Sequence, residues 1–255
     1  MMHAAKKNRH HGFLIHTSHL GDILISTNII FNFARQEEFV AIVKYSKPEI
    51  GSQLHRIFDY GSDLVVGNYM GFLNHKLNFA EFIPGRTGET KYWCHTNFAS
   101  MTIKPQKLGR FELPKCRLPA FESQQGYQVC QFDSASPKPF KKRFGTDEID
   151  AAIRMFNRGK TFYIGREGTQ TYTGGLPTHF ASMEEQTAFI KGCDSFYGID
   201  SGMSHFAGCL GKPGDICIQT EDEGFIACIS AMYEFMYPQL RLHRRQEFRK
   251  KEDEK

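Results

Sequence analysis

The chain has 255 residues, 40% of them hydrophobic, and a formal net charge of +4. That composition implies an ordered, soluble protein with apolar material for one large core or two lobes of ~120 residues each. No segment approaches the ~20 consecutive apolar residues that cross a bilayer, and the basic start at Lys6, Lys7 and Arg9 lacks the apolar stretch of a signal peptide. A cytoplasmic protein is expected, with peripheral contact to an anionic membrane as the open alternative. The seven cysteines, at 94, 116, 130, 193, 209, 217 and 228, form no Cys-x-x-Cys pair. This spacing is poor for zinc, and the odd count favours a reducing compartment without structural disulfides.

In chain order, Phe13 to Ile15 reads as a buried strand that reaches a polar turn, His16-Thr17-Ser18-His19, and then Gly21-Asp22. Asp22 is placed to cap a helix from Ile23 toward Gln36. Phe39 to Lys44 is the next strand, Pro48 starts a helix carrying Ile50, Leu54, Ile57 and Phe58, and Ser62 to Val66 is again a strand. Alternation of this kind predicts a parallel sheet covered by helices. From Gly67 to Leu118, Pro84-Gly85, Gly88, Pro105, Gly109 and Pro114 interrupt the pattern, and this stretch is expected to supply acceptor-binding loops.

A second unit begins near Gly126, so the division is drawn at 1–120 and 121–255. Tyr127 to Phe132 is its first strand, and a small-residue turn, Ser134-Ala135-Ser136, leads to Lys138. Thr146 caps a helix with Asp147 and Glu148 in its first turn and Ile149, Ala152, Ile153 and Phe156 on its apolar stripe. Thr161 to Ile164 is a strand, Thr173-Gly174-Gly175 a flexible rim, and Ser182 with Glu185 a capping box. Ser195 to Ile199 forms a strand, Met203 to Leu210 a helix that Gly211 stops, and Ile216 to Ile218 a strand. Phe225, Ile229, Met232, Phe235 and Met236 mark a terminal return helix able to brace both lobes. The run Arg241, Arg244, Arg245, Arg249, Lys250 and Lys251 reads either as a solvated helix end, mixed with Glu247, Glu252 and Glu254, or as a surface for an anionic partner. Lys138, Lys141, Lys142 and Arg143 form a second basic cluster.

Two turns carry the candidate chemistry, and their recurrence suggests two facing domains. In Asp200-Ser201-Gly202-Met203-Ser204-His205 a strand passes into a helix whose first amides and positive end can converge on a diphosphate. Gly202 allows close backbone approach, Ser201 offers a hydroxyl, and His205 can donate from the first helical turn. An ordinary Asp/Ser helix cap explains the same pattern without a ligand. Lys138 is a candidate counter-charge for the phosphates, and the Arg166-Glu167 turn can approach a ribose or base. At the other turn, Asp22 can act as a general base toward an incoming hydroxyl, or only as a helix cap. Ser18, His19 and Gly21 beside it are candidate acceptor contacts. Tyr92, Trp93 and His95 offer a platform for a sugar or base, or an aromatic packing cluster.

Asp200-Ser201-Gly202-Met203-Ser204-His205-Phe206-Ala207, extended by Leu210-Gly211-Lys212-Pro213, resembles the donor-side motif of the bacterial heptosyltransferase family, glycosyltransferase family 9. The strand followed by Gly21-Asp22 resembles its acceptor-side motif, and the two stand in the family's order across nearly the whole chain. The resemblance implies an α/β protein of GT-B architecture, two Rossmann-like lobes facing across a cleft, with acceptor on the first and nucleotide-diphosphate sugar on the second. It implies an inverting, metal-independent transfer without a cofactor, with Asp22 as base, Lys138 as a donor-phosphate contact, and Asp200, Ser201, Gly202 and His205 as the donor-binding turn. The chain departs from the family in being shorter, in the Pro139-Phe140 stretch after its lysine turn, and in the compressed segment between the nucleotide-side turns. A small donor or truncated specificity loops would account for this.

The acceptor is expected to be a glycan or glycolipid, with a hydroxylated DNA base as the lesser option, since no recognised DNA-binding motif accompanies the basic clusters. A catalytically inactive sugar-nucleotide-binding protein is the alternative. An oxidoreductase lacks its early Gly-x-Gly-x-x-Gly turn here, and a hydrolase lacks a serine elbow.

Overall fold

In the computed structural model, which describes residues 10–15, 19–67, 78–83, 95–98, 101–103, 111–121, 126–132, 144–165, 175–178, 180 and 182–249, the chain divides into two units, Met1–Arg117 and Leu118–Lys255.

The first unit opens with β1 (His10–Ile15), whose inner residues are buried, and continues through α1 (Leu20–Gln36), β2 (Val40–Tyr45), α2 (Pro48–Ile57) and the short strands β3 (Phe58–Asp59) and β4 (Leu64–Val66). β5 (Asn78–Ile83), β6 (His95–Phe98), β7 (Met101–Ile103) and β8 (Lys115–Cys116) follow. The main sheet runs β4-β2-β1-β5-β6-β7. Its first four strands are mutually parallel, as helical crossovers require. The last two pair antiparallel, with Phe98 opposite Met101 at the hairpin end. The expected parallel sheet is present in β4, β2, β1 and β5, and the stretch expected to supply loops adds the antiparallel strands β6 and β7. β5, β6 and β7 pair antiparallel in chain order.

α1 is buried on nearly every side, including Ser26, Thr27 and Asn28. The Thr27 hydroxyl donates to the Ile23 carbonyl at 2.7 Å, and Tyr60 donates to Asn28 Oδ1 at 3.2 Å. Asn32 bonds both the carbonyl and the N–H of Glu112, at 2.9 and 2.7 Å. Burial of Thr27, Asn28 and Asn32 is tolerated because partners replace water.

The second unit contains β9 (Tyr127–Gln131), α3 (Thr146–Phe156), β10 (Lys160–Ile164), β11 (Gly175–Thr178), α4 (Met183–Gly192), β12 (Ser195–Ile199), α5 (Gly202–Cys209), β13 (Gly214–Ile218), α6 (Glu223–Met236), β14 (Leu240–Arg244) and a 3₁₀ turn (Arg245–Phe248). Its six strands are all parallel, in the order β11-β10-β9-β12-β13-β14. Counted within the unit this is 3-2-1-4-5-6, the order of dinucleotide-binding sheets, which reverses direction between β9 and β12. On one face Cys130, Phe132, Tyr197, Ile199 and Cys217 pack with Phe144, Ile149, Ile153 and Phe156 around α3 and with Phe248. On the other, Tyr127 and Phe162 meet Phe189 of α4.

Three local expectations change. Gly175 belongs to edge strand β11. The α3 cap is Gly145, whose N–H donates to Glu148 Oε2 at 2.7 Å, and Thr146 is the first helical residue. The terminal helix is followed by β14, so the arginine-rich run is an edge strand and a 3₁₀ turn, not a helix end. Leu240 and Leu242 alternate with Arg241 and His243, giving the period of two that a half-covered strand needs. Cys116, Cys130, Cys193, Cys209 and Cys217 are free thiols. Burial pushes the Cys193 thiol up to about 12 and also raises those of Cys130 and Cys217.

Candidate functional site

β12 delivers Asp200-Ser201-Gly202 to the C-terminal edge of the second sheet, beside the point where strand order reverses. Ligands of open α/β sheets bind at such a point because the flanking loops diverge to opposite faces. The Asp200 N–H continues the ladder by donating to the Cys217 carbonyl at 3.3 Å. Ser201 then caps α5 with extended backbone, and the His205 N–H reaches the Ser201 carbonyl at 3.4 Å as the first α-type bond of the helix. The backbone N–H groups of Gly202 and Met203 precede that bond and carry the positive end of the helix dipole.

Beneath this turn lies a buried polar chain. Tyr233 of α6, fully buried, donates its hydroxyl to Asp200 Oδ1 at 3.0 Å. Burial, reinforced by the Asp200 carboxylate, raises the Tyr233 phenol well above its ordinary range, so it remains a neutral donor. Ser204 Oγ accepts the Ser201 N–H at 3.0 Å and shares its proton between the Tyr233 oxygen, 2.7 Å away, and the Ser201 carbonyl, 2.6 Å away. His205 Nε2 lies 3.5 Å from Asp200 Oδ1, and the ring packs against Tyr233 and Tyr237 at centroid distances of 5.2 and 5.7 Å. Asp200 and His205 are thus 4% and 3% exposed, whereas Ser201 and Gly202 are only half-buried. The four expected donor-site residues form two layers: two that face outward and two that hold them from below.

Sequence reasoning did not single out Gln131 or Tyr233. Ser201 Oγ donates to Gln131 Oε1 at 2.6 Å, joining the ends of β12 and β9 across the reversal point. Gln131 was legible as a polar residue ending an apolar strand. Tyr233 was legible as the position seven after Ile226 on the buried stripe of α6. Gly198 permits this join, since a Cβ there would lie 2.2 Å from the Gln131 carbonyl oxygen.

In the first unit Gly21 and Asp22 stand at the corresponding reversal, after β1 and between β2 and β5. The helix begins earlier than expected. His19 is the cap, with no side-chain capping bond to the helix, and Asp22 is the third helical residue. Its carboxylate sits in the first turn, where the helix dipole favours negative charge. Gly21 and Asp22 are half-buried and His19 is exposed. Ser18, Lys138, Arg166 and Glu167 lie outside the described residues, as do Lys141, Lys142, Arg143, Tyr92 and Trp93.

In the first turn of α3, Glu148 accepts from Arg245 at 2.6 and 2.8 Å and from Arg249 at 3.2 Å. Burial works against ionisation of Glu148, but Arg245, the Gly145 N–H and Arg249 outweigh it and hold its pKa at about 2. Arg241 pairs with Asp215 at 3.1 Å and Arg244 with Glu223 at 3.0 Å. The arginines of the terminal run are therefore engaged within the unit. Among the described residues no group of three or more His, Cys, Asp or Glu side chains is arranged to hold a metal ion, and no helix is long and apolar enough to cross a membrane.

No protein-family model and no curated protein matches the sequence. Solved structures do match the fold. A glycosyl transferase family 9 protein from Veillonella parvula aligns with a TM-score of 0.58 at 12% identity, covering 94% of this chain and 87% of that one. The ADP-heptose LPS heptosyltransferase II of E. coli aligns at 0.55 and 12% identity, covering 91% and 90%. E. coli heptosyltransferase WaaC with ADP gives 0.52 and 10%, covering 92% and 93%. The chain shares the two-unit α/β fold of these proteins.

Proposed function

We propose that the protein is a nucleotide-sugar-dependent glycosyltransferase, with donor bound on the second unit and acceptor on the first. The observation that carries this reading is the half-exposed Ser201-Gly202 turn at the head of α5, at the reversal point of a dinucleotide-type sheet. Its amides suit a diphosphate, and the buried Asp200, Ser204 and Tyr233 groups fix its direction. The likeness in fold to ADP-using heptosyltransferases supports the same assignment.

In the proposed reaction the Asp22 carboxylate takes the proton of an acceptor hydroxyl, and that oxygen attacks the anomeric carbon from the face opposite the diphosphate. The bond from the anomeric carbon to the phosphate oxygen breaks, its electron pair leaves with the nucleoside diphosphate, and the configuration inverts. The negative charge is met by the Gly202 and Met203 amides and by Lys138, with Arg166 and Glu167 toward the ribose or base. Asp200 and His205 position the turn. His19, Ser18 and Gly21 contact the acceptor, a glycan or glycolipid, with a hydroxylated DNA base as the alternative. No metal ion is assigned a role, so turnover is expected to survive a chelator.

The test incubates the protein with nucleotide sugars and glycan, glycolipid or hydroxymethylated-DNA acceptors and measures mass added to acceptor. Asp22→Asn is expected to abolish turnover while leaving donor binding intact; preserved turnover removes Asp22 from the role of base. Asp22 also suits the helix dipole, which favours a second reading, a sugar-nucleotide-binding protein without transfer. That reading predicts donor binding without added mass on any acceptor.

A further inference from the structure

Gln219 follows β13 directly, and its side chain is the unusual one at this edge. The residue is 8% exposed, and neither its Oε1 nor its Nε2 has a hydrogen-bond partner. Its backbone carbonyl is accounted for, accepting from Arg245 Nη1 at 3.4 Å. A fold that needed only packing here would be better served by leucine, because a buried amide forfeits its bonds to water.

The strand register shows what the amide lies beside. Ile199 pairs with Cys217, and the Asp200 N–H extends that ladder to the Cys217 carbonyl. Continued past its last pair, that register carries Gln219 to the same end of the sheet as the Ser201 turn. Ser201 is in turn bonded to Gln131. Gln131 ends β9, Ser201 caps the helix after β12 and Gln219 follows β13, so the three lie at the C-terminal ends of adjacent strands. Ser201 and Gln131 satisfy one another, leaving the Gln219 amide with both its donor and its acceptor unused. The neighbouring guanidinium of Arg245 is committed to Glu148.

A neutral carboxamide is suited to a group that both donates and accepts, which describes a hydroxyl better than a phosphate. We propose that Gln219 hydrogen-bonds a sugar hydroxyl of the bound nucleotide sugar and helps set donor specificity; this rests on the donor-side reading above. The hydroxyl belongs either to the ribose or to the transferred sugar, two sources of one chemistry.

The experiment titrates wild type and Gln219→Leu calorimetrically with ADP-D-β-D-heptose, UDP-glucose and GDP-mannose, and with ADP, UDP and GDP. Wild type is expected to bind at least one pair, and Gln219→Leu to weaken the nucleotide sugar roughly tenfold. Retained affinity for the parent diphosphate assigns the hydroxyl to the transferred sugar; equal weakening of both assigns it to the ribose. Unliganded Gln219→Leu is expected to melt no lower than wild type, and Gln219→Met replaces it if it does not fold. Wild-type affinity for both ligands in the folded variant overturns the proposal alone. Failure of wild type to bind any of the six compounds overturns it together with the donor-side reading.

Discussion

Replacing Arg245 with methionine keeps an aliphatic stem against Phe144, over which the guanidinium now lies at 5.6 Å, and removes both short bonds to Glu148. The Glu148 carboxylate then retains only the Gly145 N–H at 2.7 Å and Arg249 at 3.2 Å. Its displacement from 4.5 to about 2 represents about 3 kcal/mol of preference for the ionised form in the folded unit. Arg245 is the largest of the groups that lower it. Loss of most of that preference, with a buried charge left partly unpaired, is expected to cost about 2–3 kcal/mol near neutral pH. The sign follows from linkage. The folded value lies below the unfolded one, so the contribution is complete above 4.5 and disappears as pH falls toward about 2. The gap between wild type and Arg245→Met should therefore be widest near neutrality and close over that window. Urea titrations read by hydrogen exchange in peptides of β9, β12 and β13 report on the second unit alone. A gap of the same size near neutrality and at about pH 3 would refute the argument, as would a gap below about 0.5 kcal/mol throughout.

Tyr233→Phe deletes the hydroxyl between Ser204 and Asp200. It is expected to cost about 1–3 kcal/mol, seen as a melting temperature lower by roughly 3–8 °C. Gly198→Ala places a Cβ 2.2 Å from the Gln131 carbonyl oxygen, which only separation of β9 and β12 can relieve. A loss of about 3 kcal/mol or more is expected, with little folded protein recovered in a solubility assay. His243 lies 2.9 Å from Asp215 and 3.1 Å from Glu247. The bond to Asp215 outweighs partial burial and, with Glu247, raises its pKa above 6.5. An NMR titration of the ring should show a midpoint above that value. The stability it adds should be complete below 6.5 and lost as pH rises through the folded midpoint, a dependence that His243→Gln removes.

The second unit was more legible than the first because its residues declare their period. The Ser195–Ile199 strand, the Ser201-Gly202 entry to α5 and the stop at Gly211, where φ is +70°, are local signals, and each element lies close to its expected place. β14 was hidden because Arg241 and Arg244 look like solvated charge until Asp215 and Glu223 are brought beside them. Those partners are 26 and 21 residues away, a separation that no periodicity reveals. Asp22 was identified as lying at a helix start, but its cap position was misplaced. The helix begins at Leu20, and the apolar stripe from Ile23 does not mark its first three residues. The outward-facing half of the Ser201-Gly202 turn was recognisable from those residues, whereas its support depends on Tyr233 from a helix one strand further on.

The buried thiols give the second unit an internal clock. Cys130 and Cys217 lie in the layer shared by the sheet, α3 and the 3₁₀ turn, whereas Cys209 contacts Tyr237 at 3.6 Å in the layer of α5 and α6. With burial suppressing the thiolates of Cys130 and Cys217, alkylation has to wait for the chain to open. The order in which the two layers take up label would show which yields first, and under the proposed function a nucleotide bound at α5 should slow the second layer selectively.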